Sequence, residues 1–277
     1  MTPRWIFAKF EAHTEQLSTN MRTKTALLTA ALVAAGVASS MAQNVYSVNV
    51  VGYVNLSVVP GFNLISLPLQ NADATSSINS VLTNTSVNVP FGAFVSTWNP
   101  TNQQFNQAVY AGGDGHWYDG QFINLVSNSL VPGQGFFLFM PAVVNGGVSN
   151  MNITVVGSVL AGTNSYPVSK GFGFYGDYLP IVGDLTTNGF PVTDNSFLNT
   201  FSNGIGYNQA VYGLDTTHSS YNTNTGALLG GPATYPVFAD GNFITRQLVA
   251  PKPGQGFLYS YLSPTNAVWT QVFNVGP

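Results

Sequence analysis

The chain has 277 residues, of which 13% are aromatic and only 6% charged, and it contains no cysteine. The missing cysteine excludes a disulfide framework, a thiolate metal site and a lipid-modified cysteine anchor. From residue 43 onward three basic residues, Lys170, Arg246 and Lys252, stand against eight Asp and no Glu, a net charge of −5 with histidine neutral. Such a surface has no basic patch for a row of phosphates or for anionic lipid.

In chain order, Met21-Arg22-Thr23-Lys24 sets two positive charges before an apolar run from Ala26 to Val37, which yields to Ser39-Ser40-Met41-Ala42. A basic head, an apolar centre and small residues at the exit describe a secretory signal peptide over 21–42, cut after Ala42. The apolar run is about a dozen residues, short of the roughly twenty that a bilayer-spanning helix needs. Residues 1–20, with Arg4, Lys9, Glu11 and Glu15, do not resemble a signal-peptide head. They are expected to precede the true initiator, Met21. The mature chain is therefore expected outside the cytoplasm, in the extracellular space, at the cell surface or in the periplasm.

Strand signals follow at Val48–Val59, Phe62–Leu67, Phe91–Trp98, Gln107–Tyr110, Phe122–Val126, Phe136–Met140 and Ile153–Val159. These runs are short, rich in Val, Tyr and Phe, and bounded by Gly, Pro, Asn and Asp. Only Ala72–Leu82 suggests a brief helix. Pro132-Gly133 suits the centre of a type II turn, because Pro presets the first φ and Gly supplies the positive second one. The strand after it, Phe136-Phe137-Leu138-Phe139, is apolar on both faces and is expected at the centre of a covered sheet. Asp119-Gly120 reads as a hairpin turn.

Two of these motifs recur. Asp119-Gly120-Gln121-Phe122-Ile123 returns as Asp240-Gly241-Asn242-Phe243-Ile244, and Pro132-Gly133-Gln134-Gly135-Phe136 as Pro253-Gly254-Gln255-Gly256-Phe257, both with an offset of 121. Asn106-Gln107-Ala108-Val109-Tyr110 returns as Asn208-Gln209-Ala210-Val211-Tyr212, and Gly61-Phe62 as Gly171-Phe172. A shared offset points to an internal duplication. Copy two carries extra residues between Gly213 and Pro236. The expected fold is all-β, two tandem repeats of a sandwich- or barrel-like unit of about 110 residues, spanning 43–157 and 158–277.

With these motifs in order, the chain resembles a verrucomicrobial-type family of secreted proteins. The likeness rests on Val48-Asn49-Val50-Val51-Gly52-Tyr53-Val54-Asn55 at the opening, Gly61-Phe62-Asn63-Leu64-Ile65, the duplicated Pro-Gly-Gln-Gly-Phe element, and Trp269-Thr270-Gln271-Val272-Phe273 near the end. Family members often carry Glu inside the second motif, where both copies here have Gln. The resemblance implies no catalytic residue, ligand or partner.

Chemistry is sparse. His116 and His218 occupy non-equivalent loops, so no histidine cluster for zinc can be assembled. Asp114-Gly115-His116-Trp117-Tyr118-Asp119 lacks the alternating ligands and bidentate Glu of a calcium loop. No Gly-x-Ser-x-Gly elbow is present, and Glu is absent as the acid of a glycosidase pair. No cofactor or metal is expected. Positions aromatic in both copies, Trp98 with Phe201, Tyr110 with Tyr212 and Trp117 with Phe238, read as core. Tyr118 aligns instead with Ala239. Together with Asp114, His116 and Trp117 it forms the one candidate binding tip, a sugar-stacking platform with a polar rim.

The sequence thus supports a non-catalytic structural or interaction protein of the cell envelope or extracellular matrix, with a carbohydrate-binding module as the alternative and a hydrolase third. The partners this implies are polysaccharide or another envelope protein, with no nucleic acid and no membrane insertion after signal cleavage. A binding module would present at least two coplanar rings in a groove.

Overall fold

The computed structural model describes residues 50–274 except 72–75, 84–88, 112, 127, 143–149, 216–217, 222–227, 231–234 and 241–248. Backbone alone is described at 83, 214–215, 218–221, 228–230 and 235–237. The signal peptide, residues 1–20, the start of the opening motif and Gly241 lie outside the described residues.

The first repeat contains β1 (Val51–Val58), β2 (Gly61–Ser66), β3 (Phe94–Asn99), β4 (Gln104–Tyr110), β5 (Trp117–Tyr118), β6 (Gly135–Met140) and β7 (Met151–Ser158). After Val159–Ala161 the second repeat runs through β8 (Gly162–Val168), β9 (Gly171–Gly176), β10 (Phe197–Ser202), β11 (Gly206–Asp215), β12 (His218–Tyr221), β13 (Leu228–Gly230), β14 (Tyr235–Ala239), β15 (Gly256–Tyr261) and β16 (Ala267–Phe273). The protein is all-β, and its halves are built alike. Each has a five-stranded antiparallel sheet, ordered β2-β6-β3-β4-β5 and β9-β15-β10-β11-β14, with a two-stranded ribbon, β1-β7 or β8-β16. The β12-β13 hairpin is the insertion that lengthens copy two.

Register repeats with the strands. Gly61 pairs with Met140 and Ser66 with Gly135, while Gly171 pairs with Tyr261 and Gly176 with Gly256. A one-residue slip would have turned every side chain to the opposite face. Alternation is what lets the ribbon cover the sheet. Val54, Leu56 and Val58 of β1 are buried while Tyr53, Asn55 and Ser57 point outward, and Ile153 and Val155 of β7 join them over Ile65, Val95, Ala108, Trp117, Phe136 and Leu138. The second core gathers Phe190, Leu198, Phe238, Phe257, Tyr259 and Trp269 in the same way.

The central strand β6 is covered on both faces, with Phe136 and Leu138 in the first core and Phe137 in a third cluster with Leu64 and Phe174. In Ala72–Leu82 a short π-helical turn forms at Asn79–Thr83, enclosing Leu82. Three expected runs are corrected, the first being Gln107–Tyr110, whose strand begins at Gln104. Phe91 and Gly92 form a turn closed by Ala93 N donating to Pro90 O, and the strand starts at Phe94. Phe122–Val126 is no strand. The Asp119 carboxylate accepts from the backbone amides of Gln121, Ile123 and Asn124, which draws the segment into a loop. Phe122, not Gly120, takes the left-handed conformation there, at φ +57.

The repeats join through the duplicated motif. Val131–Gln134 and Lys252–Gln255 each close with an i to i+3 hydrogen bond, at 3.1 and 2.8 Å, with φ +84 at Gly133 and +89 at Gly254. Each turn then caps the sheet edge of the other repeat. Ser66 N donates to Gly254 O at 2.9 Å, and Gly176 N donates to Gly133 O at 3.1 Å. Ile65 bridges Gln255 and Tyr175 bridges Gln134. Ser66 is equivalent to Gly176, and Ile65 to Tyr175, so the exchange is reciprocal, as an approximate two-fold axis requires. At that axis Ser66 meets Gly176, where a Cβ would fall on the serine side chain. There is room for one side chain of the two. The clasp also covers the C-terminal ends of the edge strands β2 and β9, at Ile65–Ser66 and Tyr175–Gly176.

Candidate functional site

The tip that the sequence singles out is held together by its own bonds. Tyr118 OH donates to Asp114 Oδ2, His116 N donates to Asp114 Oδ1 at 3.1 Å, and His116 Nδ1 lies 2.7 Å from Asp114 O. The Tyr118 hydrogen bond is the main cause holding the Asp114 carboxyl below its ordinary range, and the same bond raises the Tyr118 phenol. Trp117 is not part of this rim. It is fully enclosed and packs on Tyr110 at 5.2 Å, as Phe238 packs on Tyr212 at 5.3 Å. An enclosed indole offers no face to a sugar, so the expected platform loses its ring.

Asp119 and Gly120 shape the loop described above, Asp240 is partly buried, and Pro132, Gly133, Pro253 and Gly254 build the clasp. Among the described residues no group of three or more His, Cys, Asp or Glu could hold a metal ion, and no helix is long and apolar enough to cross a membrane.

The concave surface lies elsewhere, along the seam between the repeats. One groove of about 520 Å³ is lined by Phe62, Phe94, Ser96, Phe105, Gln107, Phe137, Phe201 and Tyr207. A second hollow of about 460 Å³ shares Phe62 and Phe201 with it and continues past Asn55, Ser57, Asn203, Lys252 and Gln255. Both volumes fall in the range of ligand sites. The sheet geometry explains the aromatic floor. Each five-stranded sheet turns one face to its ribbon, and the alternate residues of β2, β3, β4 and β6 must then face the other repeat.

These rings are braced from behind. Phe62 meets Phe94, Phe137 and Phe139 edge-on at 5.7, 5.8 and 5.1 Å. Phe105 packs on Trp98 at 4.9 Å and Phe174 at 5.4 Å, and Tyr207 on Phe201 at 5.2 Å. Trp98 Nε1 donates to Phe172 O of the other repeat at 3.0 Å. Burial raises the Tyr207 phenol above its ordinary value. Lys252 brings the one formal charge among the lining residues, and no Asp, Glu or His is among them.

Sequence reasoning set Phe201 opposite Trp98 but placed both in the core, and it passed over Phe62, Phe105 and Tyr207. The available signal was a second set of doubly aromatic positions, Trp98 with Phe201 and Phe105 with Tyr207, on the strand face opposite to the one that carries the core. The fold and this seam define an all-β protein of two fused two-layer repeats with an aromatic cleft at their junction. No family model, curated protein or solved structure matches the chain.

Proposed function

We propose that the protein is a secreted, non-catalytic interaction protein of the cell envelope or extracellular matrix, and that the seam is its working surface. The observation that carries this reading is the character of the lining: exposed ring faces at Phe62, Phe105 and Tyr207 with amide and hydroxyl groups beside them, and no carboxylate or imidazole. Such a surface supplies contact area and hydrogen bonds but no carboxylate or imidazole to serve as general acid or base. Among the described residues an Asp–His pair, Asp114 with His116 at 3.8 Å, is on the exposed tip, and neither residue lines either hollow. Secretion, and membership of the verrucomicrobial-type family, remain proposals resting on the leader and the motifs.

The test is retention of the protein on envelope material from the producing cell. The native chain should be retained, a Phe105→Ala, Tyr207→Ala double variant should wash off, and no cleavage product should accumulate. Equal retention of the variant, or steady release of product, would contradict the proposal.

A further inference from the structure

We propose that the seam binds a neutral glycan chain, an inference that rests on the interaction reading above and names its ligand. Phe62, Phe105 and Tyr207 are 43%, 46% and 52% exposed, large values for aromatic side chains packed against other rings. Their partners fix them before any ligand arrives, so little side-chain freedom is lost on binding. An aromatic face carries partial negative charge, which suits the C–H face of a pyranose ring. These lining rings do not give the coplanar pair expected of a flat platform: Phe105 is tilted 57° to Phe137, and Tyr207 stands at 62° to Phe201. They form the walls of a trough rather than a flat platform, and a trough contacts a chain from its sides.

The adjoining hollow supplies what hydroxyls need. Asn55 Oδ1 accepts from Thr154 Oγ1 and Gln255 Oε1 accepts from Lys252 N, which leaves each amide NH2 to donate. Ser57 and Lys252 are exposed beside them. The two hollows meet at Phe62 and Phe201, so one chain can rest on rings at one end and bond to amides at the other. A single lysine cannot neutralise the row of charges on a polyanion, and the amide-rich lining suits an uncharged chain.

A peptide is the weaker fit. Extended peptides commonly dock by adding a strand to an open sheet edge, and the C-terminal ends of the edges β2 and β9 are already occupied by Gly254–Gln255 and Gly133–Gln134.

The experiment is titration calorimetry of the full chain with cellohexaose, xylohexaose, mannohexaose and laminarihexaose, with hexagalacturonate and a phenylalanine-rich heptapeptide as the acidic and apolar counterparts. At least one neutral hexasaccharide should bind saturably. Phe105→Ala and Tyr207→Ala should each weaken it about tenfold or more, as anchors in an interface do. Tyr207→Phe, which keeps the ring, should stay within about threefold of the native chain, and circular dichroism confirms that each variant is folded. Tighter binding of hexagalacturonate, binding of the heptapeptide alone, or glycan binding indifferent to both alanine variants would overturn the proposal. Heptapeptide binding would still leave the seam an interaction surface, whereas unchanged envelope retention of the double variant would remove that reading as well.

Discussion

Replacing the clasp glycines separates backbone strain from the close approach of the two repeats. At Gly133 a side chain must occupy φ +84, and its Cβ would lie 2.7 Å from Tyr166 and Tyr178 of the second repeat. The left-handed conformation costs about 1–2 kcal/mol, and overpacking a filled site costs about 1–3 kcal/mol more. Gly133→Val should therefore lose about 2–5 kcal/mol. The midpoint of a body of about 225 residues falls by about 2–4 °C per kcal/mol, so a drop of about 4–20 °C is expected in a calorimetric scan. Gly254→Val should match it, because a Cβ there runs into Leu56 of the first repeat. Gly135 and Gly256 isolate the approach, since neither has positive φ, yet a Cβ at either would lie 2.6 or 2.8 Å from the backbone carbonyl of Tyr175 or Ile65. Their alanine variants should lose about 1–3 kcal/mol. Gly92→Ala is the control, with φ +80 in open space, and should cost about 1 kcal/mol. The repeats should melt together in every case. Two resolved transitions, or Gly135→Ala and Gly256→Ala matching the native midpoint, would refute the clasp.

Asp177 stands where the first repeat has Leu67; it is almost fully buried, and its Oδ2 lacks a partner among the described residues. Burial pushes its carboxyl up to about 7, so the folded chain holds a proton that the unfolded chain releases above about pH 4. Its contribution is present at pH 4 and lost as pH rises through 7, about 4 kcal/mol in all, and Asp177→Asn should flatten that part of a denaturant-derived stability profile. Asp114 and Asp119, both lowered by hydrogen bonds, act with the opposite sign, their stabilisation fading as pH falls through the acid range. Trp117→Ala should lose about 3–5 kcal/mol as an enclosed ring, against about 0.5 kcal/mol or less for His116→Ala on the exposed tip; equal losses in urea melts would reverse the assignment of core and rim.

Much of the strand plan was legible because β1, β3 and β7 carry period-two burial, while β2 and β6 are short apolar runs bounded by Gly and Pro. The type II geometry at Gly133 and Gly254 was equally legible, since Pro-Gly fixes it locally. What the motif does was not, because the capping of β2 by Gly254 and of β9 by Gly133 joins residues 188 and 43 positions apart in the chain, across two repeats. Phe122–Val126 misled for a local reason: its alternation is that of a strand, but the Asp119 carboxylate outcompetes a partner strand for the same amides. The seam escaped because Phe62, Phe105 and Tyr207 occur in runs apolar or amphipathic on either face, and composition does not say which face meets another sheet. Trp117 misled in the opposite sense, since its polar neighbours Asp114, His116 and Tyr118 suggested a rim, while Tyr110 beside it takes the ring inward.

The central structural claim is that two equivalent repeats lock each other through exchanged hydrogen bonds, and amide hydrogen exchange at Ser66 and Gly176 tests it most directly. Both amides donate across the junction, to Gly254 and Gly133. If the clasp is reciprocal they should exchange together, at the slow rate set by global unfolding. Rapid exchange at either, while the β2-β6 and β9-β15 amides stay protected, would mean that the repeats are neighbours rather than one body.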